Sequence, residues 1–268
     1  MVRVVRATQV EIETAVQALR DGELVAFPTE TVYGLGANAQ NPAAVRRIFE
    51  VKGRPPDHPV IVHIDSPRYL HRWVRDVPES AARLAEVFWP GPLTMVMRRA
   101  PNVHDVITGG QDTIAIRVPA HPMAQQLLTA FGGGIAAPSA NRYGRLSPTR
   151  AEHVREEFAE AVRVILDGGE CQIGLESTIV AFEDEGVRLL RPGSVTAAQI
   201  KGVVGELLLG AASASPRVPG SAPSTTHRAP RSPSCRQGRS MARRKPLPPA
   251  AAASRYSPSD CRCAHTST

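Results

Sequence analysis

The chain has 268 residues, 42% of them hydrophobic and 21% charged, which is enough to bury one sizeable core. Its formal net charge of +7 comes from residues 211–268, which sum to +9, whereas residues 1–210 carry 22 basic and 24 acidic side chains and sum to −2, so the basic character says little about the folded part. No run of eighteen apolar residues and no signal-peptide-like start occurs, so the sequence excludes a transmembrane helix and predicts a cytoplasmic protein.

The predicted elements alternate between helices and strands along residues 1–210. The first helix starts at Thr8, which has capping-box spacing to Glu11, and the buried strand 24–27 follows it. A second helix starts at Asn41-Pro42, an N-cap residue followed by proline, and ends near Gly53. The later elements are a strand at 60–64, helices near 67–74 and 78–88, strands at 93–98 and 113–118, a helix at 122–131, a strand at 134–137, a helix at 149–158 capped by Ser147 or Thr149, strands at 163–167, 178–182 and 187–191, and a helix at 196–209.

These elements predict an α/β fold. Helices alternate with strands, but 178–182 and 187–191 face each other across an acidic turn and form a hairpin. The best interpretation is therefore a mixed sheet covered by helices.

The pattern stops at about residue 211. Residues 211–268 are rich in Ala, Ser, Pro and Arg, and their few large apolar side chains cannot offset the entropy of ordering, so disorder is predicted. Cys261, Cys263 and His265 do not provide four well-spaced zinc ligands. The basic cluster 243–245 either contacts RNA or an acidic partner or is only solvated.

Polar residues concentrate in loops after predicted strands, where open α/β sheets bind ligands. The loop 28–39, PTETVYGLGANA, places Thr29, Glu30 and Thr31 directly after a buried strand. Its glycines either let the backbone approach a ligand or form an ordinary turn. The dinucleotide-binding fingerprint is rejected here, because the next helix begins only at Asn41-Pro42.

Two cations follow the second helix. Lys52 and Arg54 precede a proline-rich turn and suit a polyphosphate, although Lys52 equally complements a helix C-terminal dipole. The next strand ends in His63, which alone is more typical of a packed or solvated histidine than of a ligand.

Three later loops contribute further candidates. The loop APSANRYGRLSPT carries short hydroxyls and amides that suit phosphate or nucleoside oxygens, although a capped turn explains that loop taken alone. GLESTIV brings Glu176 and Ser177 to the start of one strand, and LLRPGS places Arg191 at the end of the next. Arg117 lies in a strand of apolar neighbours and needs an anionic partner, from the protein or from a ligand.

Taken together, these motifs resemble the YrdC/Sua5 family, the threonylcarbamoyl-AMP synthases. The succession runs in order from about residue 12 to 205: FPTETVYGLGANA, KGRPPDHPVIVHI, WPGPLTMVM, TIAIRVPAHP, APSANRYGRLSPT, GLESTIV and LLRPG. The resemblance implies a YrdC-like twisted mixed sheet flanked by helices around a basic cavity. It also implies the formation of threonylcarbamoyl-AMP and pyrophosphate from L-threonine, bicarbonate and ATP, with Mg²⁺ accompanying ATP, for the threonylcarbamoyladenosine modification of tRNA.

The resemblance also assigns roles to residues. Those assigned to threonine are Thr31, His63, Arg117 and Ser177. Lys52 and Arg54 are the catalytic phosphate-contacting pair, and the full set assigned to ATP is Lys52, Arg54, His58, Thr113, Ser139, Asn141, Ser147 and Arg191. His58 stands where the family usually has asparagine, so a titratable ring replaces an amide there. No residue is assigned to a protein-bound metal.

The resemblance divides the chain into a YrdC-like catalytic domain at 1–210, a Sua5-like interdomain linker at 211–233 and a disordered basic tail at 234–268. In the longer Sua5 branch the linker leads to a second α/β domain, which the composition of 234–268 cannot form. The implied chain therefore lacks that domain. The family's His-Tyr-Ala-Pro appears as 227–230, His-Arg-Ala-Pro, without the tyrosine.

The implied enzyme is a nucleotidyltransferase whose product passes to the tRNA threonylcarbamoyl-transferase machinery, without a membrane partner. The alternative is a non-catalytic module that binds double-stranded RNA. The basic tail favours weak RNA binding, but the net charge of the body does not. A carbamoyl-transfer enzyme of the hydrogenase-maturation type would need acylphosphatase and zinc-finger segments, which the sequence lacks.

Overall fold

The computed structural model describes residues 3–6, 8–210 and 215–219. Most of the predicted linker 211–233 and all of the predicted disordered tail 234–268, with its cysteines and basic cluster, lie outside these residues. Within them, no helix has the length and apolar character needed to cross a membrane.

The described strands form one mixed sheet. They are β1 (Arg3–Arg6), β2 (Val25–Phe27), β3 (Gly34–Asn38), β4 (Ile61–His63), β5 (Leu93–Arg98), β6 (Thr113–Arg117), β7 (Ile135–Ala136), β8 (Val164–Asp167), β9 (Thr178–Glu183), β10 (Gly186–Arg191) and β11 (Leu207–Leu209). Their order across the sheet is β1-β8-β2-β3-β7-β4-β6-β5-β9-β10-β11. The central pair β4 and β6 is parallel, with His63 opposite Arg117, whereas β5 runs antiparallel to β6. The predicted mixed sheet is confirmed.

Helices cover this sheet. They are α1 (Gln9–Arg20), α2 (Pro42–Lys52), α3 (Glu79–Phe88), α4 (Asp105–Thr108), α5 (Pro122–Phe131), α6 (Ala151–Phe158) and α7 (Ala197–Val204), with 3₁₀ turns at Pro67–Arg72 and Ala159–Ala161. α1 packs against α5, and α3 packs against α7.

Local signals place α1 and α2 as predicted. The backbone N–H of Thr8 donates to Glu11 Oε2 at 2.6 Å, which is one half of a capping box. The Asn41 side chain accepts hydrogen bonds from the first backbone N–H groups of α2, and Pro42 occupies its first position. Gly53 ends the helix in the left-handed conformation, at φ 62°.

The main departure from the predicted elements is β3, which sequence analysis treated as a loop. It pairs antiparallel with both β2 and β7. A Cβ on Gly36 would lie 2.8 Å from both Ile135 Cγ2 and Phe27 Cε1. The glycine therefore serves close packing at a strand interior rather than an approach to a ligand.

Other boundaries also differ from the prediction. The helix predicted at 67–74 is a 3₁₀ turn, and the helix predicted at 196–209 ends at Val204 and is followed by β11. The N-cap of α6 is Arg150, without a side-chain cap, so the predicted capping by Ser147 or Thr149 is wrong. β1 and α4 were not predicted.

The two faces of the central strands have different environments. On β4, Val60, Val62 and Ile64 belong to the main core beneath the helices. Ile61 points to the opposite face, where it joins a small apolar cluster with Val96, Ala115, Ile179, Ala181 and Val218. This alternation follows the period of two of a strand. Residues 215–219, assigned to the linker by sequence analysis, therefore pack on the second face of the sheet.

Candidate active site

A cavity of about 770 Å³, which includes its opening to solvent, lies on this second face beside the C-terminal ends of β4 and β6. Ten residues predicted from sequence line it: Thr31, Lys52, Arg54, His63, Arg117, Ser139, Asn141, Ser147, Ser177 and Arg191. The fold therefore brings together candidates from distant parts of the chain.

The lining is strongly cationic. Its basic side chains are Lys52, Arg54, Arg117, Arg145 and Arg191, whereas Glu176 is the carboxylate among the described lining residues. The basic cavity that the resemblance implied is present.

Lys52, the last residue of α2, is buried at the floor of the cavity. Its Nζ donates to the backbone carbonyls of Ser139 and Asn141. Burial, and secondly the nearby charge of Arg54, lower the pKa of Lys52 to about 7. Lys52 thus joins the end of α2 to the loop after β7, and its charge depends on what occupies the cavity.

Arg54 follows the left-handed Gly53, which turns the chain back toward the cavity. Its Nη2 donates to the carbonyl of Pro59 at 2.8 Å. Burial lowers the pKa of Arg54, an effect that the carboxylate of Glu176 opposes. The guanidinium is held by the proline-rich turn that follows α2.

Arg117 has the anionic partner that its apolar strand requires. Its Nη2 lies 2.6 Å from Glu30 Oε1, although the alignment leaves both atoms without a regular hydrogen bond. Nη1 donates to Thr31 Oγ1 at 2.8 Å, and Nε donates to the carbonyl of Gly91 at 3.2 Å. Arg117 is therefore fixed in place with Thr31 beside it at the cavity wall.

Arg191 joins the GLESTIV and LLRPG motifs. Its guanidinium donates to the carbonyl and hydroxyl oxygens of Ser177, at 2.8 and 3.1 Å, and to the carboxylate of Glu176. It also donates to the carbonyl of Pro219 at 2.9 Å. The same Glu176 carboxylate accepts from Ser147 Oγ at 2.9 Å. Burial lowers the pKa of Arg191, against the effect of Glu176.

His63 is fully enclosed and packs edge-on against the ring of Phe27. Burial, and secondly the charge of Arg117, lower the pKa of His63 to about 3. The imidazole is therefore neutral near pH 7 and offers the cavity a hydrogen-bonding group without a charge.

Four lining residues each carry a buried polar atom without a hydrogen-bond partner among the described residues. These atoms are Arg54 Nε, His63 Nδ1, Arg117 Nη2 and Asn141 Oδ1. An unpaired buried polar group costs about 1–3 kcal/mol, so such groups are rare and call for an explanation. Their concentration in one cavity indicates a polar ligand.

Two residues predicted to bind ATP, His58 and Thr113, are not among the residues that line the cavity. His58 packs edge-on against Tyr143, which does line the cavity, with ring centroids 5.7 Å apart. Thr113 begins β6 opposite Arg98, at the other end of the strand from Arg117. Their roles remain predictions.

Several site residues received no role from sequence analysis. Glu30 and Glu176 stand in quoted motifs, but the cations they pair with are distant in sequence. Tyr143 and Arg145 lie within APSANRYGRLSPT, where the hydroxyls and the amide drew attention first. Pro219 lies in the predicted linker, and no local signal connects it with the site.

The lining is not built to hold a metal by itself. Within the described residues there is no group of three or more His, Cys, Asp or Glu side chains suited to a metal ion, and the lining carboxylate Glu176 is engaged by Arg191 and Ser147. Mg²⁺ commonly reaches such sites on substrate phosphates with one or two protein carboxylates.

Comparisons with known proteins agree with this geometry. The family model Sua5_yciO_yrdC, described as "Telomere recombination", matches residues 17–193. A threonylcarbamoyl-AMP synthase of Pyrococcus abyssi is 50% identical over 202 residues, 75% of this chain and 59% of that protein. One of Bacillus subtilis is 48% identical over 198 residues, 74% of this chain and 57% of that protein. The chain thus spans less than two thirds of the length of these relatives.

A solved structure shares the fold. The crystal structure of P. abyssi Sua5 complexed with L-threonine matches with a TM-score of 0.78 at 46% identity, covering 82% of this chain and 67% of that chain.

Proposed function

The chain belongs to the Sua5/YciO/YrdC family, and on that premise we propose that it makes L-threonylcarbamoyl-AMP and pyrophosphate from L-threonine, bicarbonate and ATP. The observation that carries the proposal is the group of buried polar atoms without a regular hydrogen bond on Arg54, His63 and Asn141, together with Arg117 Nη2, which has only its ion pair with Glu30, within one cationic cavity. A ligand that carries anionic oxygens would accept from the two guanidinium groups, and an N–H or O–H group of the same ligand would donate to Asn141 Oδ1. The relatives' name supports the same reaction.

Threonine is proposed to bind at the end of the cavity formed by Thr31, His63, Arg117 and Ser177. Arg117 would hold the carboxylate with the side of its guanidinium that Glu30 and Thr31 do not occupy. A cation already paired with Glu30 suits a substrate that carries an ammonium as well as a carboxylate, because the local charge is close to balanced. The L-threonine complex of a 46% identical protein supports this part of the proposal.

ATP is proposed to bind along Lys52, Arg54 and Arg191, with the polar groups of Ser139, Asn141 and Ser147 beside the phosphates or the nucleoside. His58 and Thr113 complete the proposed nucleotide set from farther out. The neutral amine of threonine first attacks the carbon of bicarbonate, and the new C–N bond gives a carbamate as water leaves. One of its oxygens attacks the α-phosphorus, and the bond to the pyrophosphate oxygen breaks as the new P–O bond forms. Because both reactants are anionic, the main task of the residues is to screen repulsion and hold the groups in line.

Mg²⁺ is proposed to accompany ATP and would supply neutralisation of the departing pyrophosphate. Glu176 is the lining carboxylate that could take part in holding it. The reaction makes the protein a nucleotidyltransferase. We place it in the cytoplasm, where its product would pass to a tRNA threonylcarbamoyl transferase.

The decisive experiment incubates the full chain with ATP, Mg²⁺, bicarbonate and L-threonine and measures pyrophosphate release together with threonylcarbamoyl-AMP by mass spectrometry. Both products should require threonine and bicarbonate. Pyrophosphate release that is indifferent to threonine, or no adenylate product, would contradict the proposal.

A matched pair of variants ties the activity to the cavity. Arg54→Ala removes a half-buried cation proposed to contact phosphate and should lower kcat/KM at least tenfold, about 1.4 kcal/mol or more of transition-state stabilisation. Arg46→Ala removes an exposed arginine of α2 that does not line the cavity and should leave the kinetics unchanged. Equal kinetics for the two variants would remove the phosphate role of Arg54.

A further inference from the structure

Arg145 is a cavity-lining cation to which neither the family resemblance nor the proposed chemistry gives a role. It lies in the loop 142–147 at the cavity mouth. Its Nη1 donates to Glu157 Oε1 on α6 at 3.1 Å, and 63% of its side chain is exposed, against 17% for Glu157. This ion pair therefore lies at the solvent boundary, where such pairs contribute little to stability.

The other lining cations are held by interior groups. Lys52 is bound to two carbonyls, Arg117 to Glu30 and Thr31, and Arg191 to Glu176 and Ser177. Moving any of these would strand buried polar atoms. The Arg145 side chain can leave Glu157 at a lower cost, because Arg145 is itself 63% exposed and the Arg142 backbone N–H stays on the Glu157 carboxylate.

Glu157 would also keep a partner after such a move. The backbone N–H of Arg142 donates to Glu157 Oε2 at 3.3 Å, and Arg142 Nε donates to the Glu157 carbonyl at 3.2 Å. Exchange of the guanidinium of Arg145 from carboxylate to phosphate therefore leaves α6 attached to the loop.

The backbone of the loop stays anchored to the site while the side chain moves. Asn141, whose own Oδ1 is unpaired in the cavity, donates from Nδ2 to the carbonyls of Arg142 and Arg145, at 2.9 and 2.8 Å. This anchoring fixes the Cα of Arg145 at the mouth and leaves the long side chain as the adjustable part.

We propose that Arg145 leaves Glu157 and binds the terminal phosphates of ATP, and then pyrophosphate, at the mouth of the cavity. The inference rests on the proposed function. A polyphosphate carries several charges and can accept two parallel hydrogen bonds from one guanidinium, so it outcompetes a carboxylate that accepts one hydrogen bond from Arg145 at 3.1 Å. The uncharged adenine offers no such advantage, which is why the assignment is to phosphate.

The test measures, by calorimetry at fixed ionic strength, the affinity of the full chain for inorganic triphosphate, pyrophosphate and AMP. Arg145→Ala should weaken triphosphate and pyrophosphate about tenfold and AMP less than twofold, and Arg145→Lys should restore part of the loss. Arg142→Ala is the matched control, since Arg142 shares the partner Glu157 but does not line the cavity; it should change none of the three.

Two results would overturn the inference: equal triphosphate affinity for Arg145→Ala and Arg142→Ala, or an AMP loss as large as the triphosphate loss. Failure of the proposed function is distinguishable, because the wild-type chain would then give no threonine-dependent adenylate product in the synthesis assay, whatever its affinity for triphosphate. Circular dichroism melting of Arg145→Ala should match the wild type, since the substituted side chain is exposed.

Discussion

Lys52 has its ammonium buried between two backbone carbonyls, in a cavity shared with four arginines. Burial and the neighbouring Arg54 lower the pKa of Lys52 to about 7. Phosphates placed beside it would favour the charged form and raise that pKa. Binding of a polyanion is therefore coupled to proton uptake by a single identifiable side chain.

This coupling predicts how ATP affinity depends on pH. Below pH 7 the charge of Lys52 contributes fully to ATP binding. As the pH rises from about 7 to the higher pKa of the complex, this contribution is lost and the affinity for ATP falls by up to tenfold per pH unit. The pH dependence should be measured by ATP titrations from pH 7 upward. A phosphate monoester has a second pKa of about 6, so its ionisation hardly changes in that range.

The matched variants are Lys52→Arg and Lys201→Arg. Arginine stays protonated throughout, so Lys52→Arg should flatten the profile, whereas Lys201→Arg, on the surface helix α7, should keep the wild-type slope. A Lys52→Arg profile that parallels the wild type would assign the proton uptake to another group.

The family resemblance of the motifs predicted ten of the lining side chains, but not their partners. Arg117 needed an anion on grounds of burial alone, yet nothing local identified Glu30, because the two are brought together by the sheet. The same holds for Arg191, whose contact with Pro219 depends on where a supposed linker packs.

At the scale of elements, a helix or strand was predicted correctly where nearby residues encode its ends. The start and end of α2 are encoded by Asn41, Pro42 and Gly53, and the helix forms as predicted. The sequence of β3, GLGAN, has low strand propensity. It is a strand because β2 and β7 flank it and only glycine fits between Phe27 and Ile135, which is tertiary information.

Gly36 therefore predicts an asymmetry between two glycine substitutions. Gly36→Ala introduces a Cβ 2.8 Å from two side-chain carbons and should lower the free energy of unfolding by about 1–3 kcal/mol. Gly202→Ala, in α7 with no atom within 4 Å of the new Cβ, should be neutral or raise it by up to about 1 kcal/mol.

Urea denaturation followed by circular dichroism measures both changes. If Gly36→Ala is as stable as the wild type, the close packing of β3 against Phe27 and Ile135 is not the reason for the glycine.

At the scale of the whole molecule, residues 215–219 complete the second face of the sheet. Val218 is buried against Ile61, Ala115 and Ile179, and Pro219 holds Arg191. Val218 and Pro219, which the sequence assigned to the linker, therefore contact the body. The amino-acid composition does change near residue 211, but composition alone does not show that a single valine beyond that point packs into the core.

Val218→Ala in the full chain should lower the free energy of unfolding by about 1–2 kcal/mol, because two buried methyl groups are lost. For a body of this size that is a melting-temperature drop of roughly 2–8 °C. Val10→Ala, at a position 62% exposed on α1, is the matched control and should melt with the wild type. Equal melting of both variants would show that the segment adds nothing to the core.

The contacts that shape the cavity join residues far apart in the chain: Lys52 and Ser139 are separated by 87 positions, and Arg117 and Thr31 by 86. A short fragment of the polypeptide therefore cannot form the pocket. Local unfolding that breaks these hydrogen bonds should abolish ligand binding before the whole fold unfolds. Substrate binding consequently requires the folded state. By mass action, a ligand at a hundred times its Kd would raise the free energy of unfolding by about 2.7 kcal/mol. The chain should therefore be more resistant to proteolysis with substrate than without it.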